Sequence, residues 1–132
     1  MIPGAFTVEE VRQLLDLALR NPDPELVGLA LNAALAASPS HAALLGDAVE
    51  ATAGEDIAVF FGLMRRYGLL DLGLQLLSDR RAAVRRTVAT TLRWIQDASV
   101  PPALERATAD TDPSVRAAAA AAFEDARVAG PL

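Results

Sequence analysis

Between positions 80 and 94 the chain concentrates five of its twelve arginines and its one tryptophan: Arg80, Arg81, Arg85, Arg86, Arg93 and Trp94. A guanidinium fork suits bidentate contact with carboxylates or phosphates, and an indole offers a stacking surface. At 100° per residue these arginines do not share one helix face, and Asp79, Asp97 and Glu124 stand near them. Trp94 falls on the wheel between a core face and an outer face and reads as packing at the core edge. The other titratable groups point away from catalysis. His41 is the one histidine and follows Ser40 at a helix start, where it reads as an exposed first-turn residue. Glu9-Glu10 and Glu55-Asp56 are paired carboxylates in first helical turns, where the helix dipole favours acids. With no cysteine there is no thiolate ligand, thiol nucleophile or disulfide. Gly62, Gly68 and Gly73 lack the spacing of a phosphate loop. The residues predict no catalytic constellation, no metal site and no cofactor.

The bulk properties bound the partners. The 132 residues carry a formal net charge of −5, against the basic surface that phosphate neutralisation needs. The charge is uneven, −6 over residues 1–78 and +1 over 79–132. All twelve basic residues are Arg, a bias expected of GC-rich coding and hence of a bacterial source. Met1-Ile2-Pro3-Gly4 has neither a basic n-region nor an apolar h-region, so no targeting signal is expected. The longest run without charge, Leu26–Gly46, contains Asn32, Ser38, Pro39, Ser40 and His41 and reads as two helices with a turn, not a membrane span. A cytoplasmic protein without a membrane partner is expected. The mean hydropathy of +0.27 points to more burial than one small monomer supplies.

The elements that position these residues follow from Ala and Leu, which make up 48 residues, and from breakers at regular intervals. Apolar spacing of three and four predicts eight helices, at about 7–20, 23–37, 40–53, 55–67, 69–77, 79–97, 101–109 and 112–128. Thr7-Val8-Glu9-Glu10 is a capping box. Asp23-Pro24 and Asp112-Pro113 each put an acceptor at the N-cap and Pro at the first helical position. The segments also repeat. Asp79-x5-Arg85 aligns with Asp110-x5-Arg116 at a shift of 31, and Asp23-Pro24-Glu25-Leu26 is similar to Asp112-Pro113-Ser114-Val115. A two-helix period near 30 is the signature of an α-solenoid.

The run Asp110-Thr111-Asp112-Pro113-Ser114-Val115-Arg116-Ala117 resembles the second-helix signature of HEAT repeats, and Asp79 to Leu92 is a second match that lacks the Pro. In the first repeat Val27 stands where the Arg would be. The resemblance implies an all-α fold, a short right-handed α-solenoid of four HEAT-like hairpins (about 7–37, 40–67, 69–97 and 101–128) forming one domain over 1–132. It implies that Asp79, Arg85, Asp110 and Arg116 form a structural ladder of Arg side chains bridged to loop carboxylates. It also implies that the second helices line a concave groove, presenting Leu35, Val59, Leu63, Arg66, Arg86, Thr90 and Arg93. Arg93 and Glu124 fall at the same wheel angle on successive second helices, which predicts an exposed ion pair between them. The function expected is that of a non-catalytic protein-interaction module or scaffold. Its partner would be a protein or peptide with acidic and apolar residues, or a second copy in a homodimer through the solenoid ends. The alternative is a HEAT-like nucleic-acid-binding or DNA-repair factor using Arg86, Arg93 and Trp94; some bacterial DNA glycosylases are built from such repeats.

Overall fold

The computed structural model describes residues 7–36, 41–52 and 56–129, with side chains described for 7–36, 43–52 and 56–125. Among the described residues there are eight α-helices and no strand: α1 (Val8–Arg20), α2 (Pro24–Ala36), α3 (His41–Ala51), α4 (Asp56–Arg66), α5 (Leu70–Gln75), α6 (Ala82–Leu92), α7 (Val100–Ala107) and α8 (Pro113–Ala129). None of them is long and apolar enough to cross a membrane. His41 opens α3, but its side chain, like Ser40 and Glu55, lies outside the described residues.

Local chemistry sets the starts. The Thr7 hydroxyl accepts from the Glu10 amide at 3.1 Å while the Glu10 carboxylate accepts from the Thr7 amide at 2.9 Å, which closes the capping box on α1. Asp23 accepts from the amides of Glu25 and Leu26, and Asp112 from those of Ser114 and Val115. Gly68 ends α4. Its φ of 73° is left-handed, its amide donates to the Arg65 carbonyl, and the Leu69 amide donates to the Met64 carbonyl. These two bonds are the Schellman pattern, which needs a residue without a Cβ penalty at this position.

Two elements differ from the sequence expectation. The helix expected at 69–77 tightens into a 3-10 turn at Leu76–Ser78. The helix expected at 79–97 spans only Ala82–Leu92. It starts late because Asp79 folds back to accept from the Arg81 amide, leaving Arg81 at the cap position. It ends early because the amides of Arg93, Trp94 and Ile95 donate to carbonyls three residues back. The β-branched run Thr87, Val88, Thr90 and Thr91 weakens the helix on that side, and the Thr91 hydroxyl donates to the Thr87 carbonyl.

Packing follows the amphipathic stripes. α1 buries Val11, Leu15, Ala18 and Leu19, spaced i, i+4, i+7, i+8. Full burial of Leu15 and of Leu19 contributes roughly 1.5–3 kcal/mol each. α1 packs on α2 and α3, and α7 on α8. The helices α2, α4, α6 and α8 contact each other in series. α6 and α8 run parallel, since Arg86 near the start of α6 donates to Ser114 near the start of α8, and Arg93 just after α6 pairs with Asp125 far along α8. This is a short α-solenoid: one layer of stacked helices repeats along the chain and buries a continuous core centred on Phe60, Phe61, Met64 and Leu92.

Candidate functional site

The layer α2–α4–α6–α8 presents Val59, Arg66, Arg86, Thr90 and Arg93 to solvent. Two residues assigned to this face turn inward instead. Leu35 is half-buried against the core, one turn beyond the fully buried Leu31 on the same side of α2. Leu63 is buried, because the doublets Phe60-Phe61 and Leu63-Met64 make α4 apolar around most of its circumference. Only the edge of Leu63 reaches the surface, at the floor of a shallow open depression of about 440 Å³.

Val59, Gly62, Arg65, Arg66, Trp94 and Gln96 line the rest of that depression. Its wall is the feature that the wheel misplaced. Trp94 is 67% exposed and not at the core edge. With α6 ending at Leu92, the helical phase that placed Trp94 no longer applies. The Arg93 guanidinium lies over the indole, 5.1 Å from the ring centroid. Val59, across the depression, is 50% exposed. Arg65 is held by Asp97 at 3.2 Å and Arg93 by Asp125 at 2.6 Å, the residue after the Glu124 that the sequence suggested. Arg66 makes no ion pair among the described residues and lines the same depression. The site therefore offers an aromatic face, an apolar side chain and a cation within one shallow basin.

The ladder residues separate into unlike roles. Arg85 grips the Asp110 carboxylate with Nε at 2.9 Å and Nη2 at 3.1 Å, and its Nη1 donates to the Asp79 carbonyl at 2.8 Å. The Asp79 carboxylate does not serve Arg85; it accepts from Arg81 through both oxygens, at 2.9 and 3.1 Å. Arg116 repeats only the backbone half of the pattern, donating from Nη1 to the carbonyls of Asp110 and Thr111. The expected outcome is that Arg85→Ala costs about 2–3 kcal/mol, since it strands a nearly buried carboxylate. The exposed Arg116→Ala costs less than about 1 kcal/mol. Urea midpoints of the two variants check the order, and equal midpoints would contradict it.

Sequence reasoning missed the densest ionic node. Arg81, beside the exposed Arg80, bonds Asp79, Asp47 at 2.6 Å and Glu50 at 3.1 Å. Arg12 of α1 reaches the same Asp47 at 3.5 Å. One guanidinium thus ties the approach to α6 onto α3. The signal was faint: an Arg two residues after a loop Asp, with carboxylates on another helix 31 and 34 positions earlier. Among the described residues no group of three or more His, Cys, Asp or Glu is placed to hold a metal ion.

These contacts hold several carboxyls below their usual range. Arg81 does so for Asp79 and Arg85 for Asp110, in each case chiefly through the side-chain hydrogen bond. The Ser99 hydroxyl does so for Asp97, and the Ser114 hydroxyl for Asp112. A carboxyl with a depressed folded-state pKa stabilises the fold above its unfolded pKa, about 3.9, and loses that contribution as pH falls through the folded value. Stability is therefore expected to be nearly flat from pH 7 to about pH 5 and to drop below about pH 4. Denaturation midpoints at pH 7, 5 and 3 check this; an unchanged midpoint at pH 3 would contradict it.

The repeated helix pairs, the parallel stacking of α6 on α8 and the Arg-to-loop-Asp bridge define a helical repeat protein. The family described as HEAT repeats matches residues 47–124, from within α3 into α8. The chain belongs to the HEAT-repeat family. No curated protein and no solved structure matches it.

Proposed function

We propose that the chain is a non-catalytic protein-interaction module of the cytoplasm. In this reading it binds a segment of a partner protein across the exposed side of α4, α6 and α8, and HEAT repeats commonly serve protein interaction. The observation that carries this reading is the basin around Trp94. A Trp that leaves two thirds of its surface in water beside Val59 and Arg66 has the composition of a binding hot spot. The partner segment carries an apolar anchor for the Val59–Trp94 wall. It also carries carboxylates for Arg66 and, further along, Arg86; Arg is the side chain best fitted to that contact. Thr90 and Arg93 form the continuation of the same strip. Arg93 spends part of its charge on Asp125, so it orients Trp94 more than it attracts the partner.

The exposed indole under an Arg also suits a nucleobase, which keeps the nucleic-acid reading as the rival. The net charge of −5 and the pairing of Arg65 and Arg93 with Asp97 and Asp125 weigh against it. Titration of the wild-type chain with single- and double-stranded DNA across a salt series separates the two. The interaction module shows no binding at low salt, whereas a nucleic-acid binder shows micromolar binding with a steep salt slope.

A further inference from the structure

The 31-residue repeat lets the last hairpin be compared, residue by residue, with the one before it. Arg85, Ala89 and Leu92 on α6 correspond to Arg116, Ala120 and Phe123 on α8. Ala89 and Leu92 are fully buried, while Ala120 is exposed and Phe123 only half-buried. The difference arises because α8 covers that side of α6, whereas no described helix covers the corresponding outer side of α8. Arg85 and Arg116 show the same contrast in hydrogen bonds. Each donates from Nη1 to the carbonyl six residues back, both at 2.8 Å. Arg85 then closes its fork, Nε and Nη2, on Asp110 in the loop that opens the next helix. The corresponding fork of Arg116 has no partner among the described residues. The shared backbone bond anchors both arginines in the same way, so the fork of Arg116 is set as a socket for one carboxylate.

We propose that the outer face of α8 is a docking surface for a further helical hairpin, supplied by a partner, whose inter-helix loop carries an Asp that Arg116 grips as Arg85 grips Asp110. The interface already present between α6 and the α7–α8 hairpin states the chemistry of the occupant: a loop carboxylate for the guanidinium, and an apolar helix side over Ala120 and Phe123. A second copy of this chain fits less well. Its first inter-helix loop has Asn21 where Asp110 stands in the last one, and the carboxylate of that loop, Asp23, stands two residues on and caps α2, so no charge lies at the position that meets Arg85.

The test lengthens the full chain by one period. A second copy of residues 93–123 is inserted after Phe123, so that the turn following α6 recurs after α8 and the copied Asp110 lies 25 residues beyond Arg116, as Asp110 lies beyond Arg85. If the face is a socket, the extended chain melts in one transition at a Tm higher by roughly 3–6 °C. Arg116→Gln, nearly silent in the 132-residue chain, then lowers the Tm of the extended chain, and Asp110→Asn made in the inserted copy alone adds nothing further. A lower or two-step melt, or an equal effect of Arg116→Gln in both chains, overturns the proposal. Sedimentation of the unmodified chain decides the occupant. A monomer at high micromolar concentration agrees with a partner hairpin, and a dimer abolished by Arg116→Glu overturns that choice in favour of a second copy.

Discussion

Arg81→Ala is expected to be the most destabilising substitution of any polar residue described, at about 2–4 kcal/mol, with a fall in Tm on the order of 10 °C. The Arg81 side chain is only 19% exposed and serves three carboxylates, of which Asp79 is 8% exposed. Removing the guanidinium leaves Asp79 without its main counter-charge and releases α6 from α3. Arg80→Ala is the control. Arg80 is exposed and makes no ion pair among the described residues, so its loss stays within about 0.5 kcal/mol. A second route leads to the same node. A Cβ added at the buried Gly46 would fall on the carboxylate of Asp79 and the guanidinium of Arg81. Gly46→Ala is therefore expected to destabilise by about 1–3 kcal/mol, against the gain of up to about 1 kcal/mol that Ala brings to a helix interior. Thermal melts of the three variants check the account; if Arg80→Ala and Arg81→Ala melt together, the node is not what joins these helices.

Trp94→Ala is expected to weaken the capture of the partner protein by about thirty-fold or more, about 2–4 kcal/mol, while leaving the melting point unchanged. The two halves of that statement come from one fact. A side chain that is 67% exposed adds little to the core, and two thirds of its area is available for burial by a partner. Arg66→Glu is expected to act in the same direction, because it replaces a cation of the basin that makes no ion pair among the described residues with a charge that repels an acidic segment. Isothermal titration with the purified partner reads both effects. A Trp94→Ala variant that binds at full strength would move the interface off this basin.

The residues show why some of this was legible in the sequence and some was not. The caps at Thr7, Asp23 and Asp112 are local devices, decided within three residues, and they are visible in the letters. The 31-residue period is equally visible, since stacking requires the same stripe on each second helix, and it pointed to the α-solenoid. The Asp79–Arg81 node is different. Its other carboxylates, Asp47 and Glu50, sit on α3, and which of two adjacent arginines meets them depends on how the loop before α6 turns. The exposure of Trp94 was hidden for a related reason. No Gly or Pro marks the end of α6, which stops at Leu92 through a shift to three-residue hydrogen bonds. A wheel continued past that point assigns Trp94 and Arg93 angles that the chain does not keep. Leu35 and Leu63 were misplaced because a helix apolar on nearly all sides has no clean outer face to read.

The central claim is that a partner protein lies across the exposed side of α4, α6 and α8. Site-specific photo-crosslinking in the native cell tests it most directly, with benzoylphenylalanine placed at Val59, at Thr90 or, as control, at the exposed Gln13 on α1. The account predicts one discrete protein adduct from positions 59 and 90 and none from position 13. An adduct from position 13 alone, or adducts to nucleic acid from position 59 or 90, would contradict it.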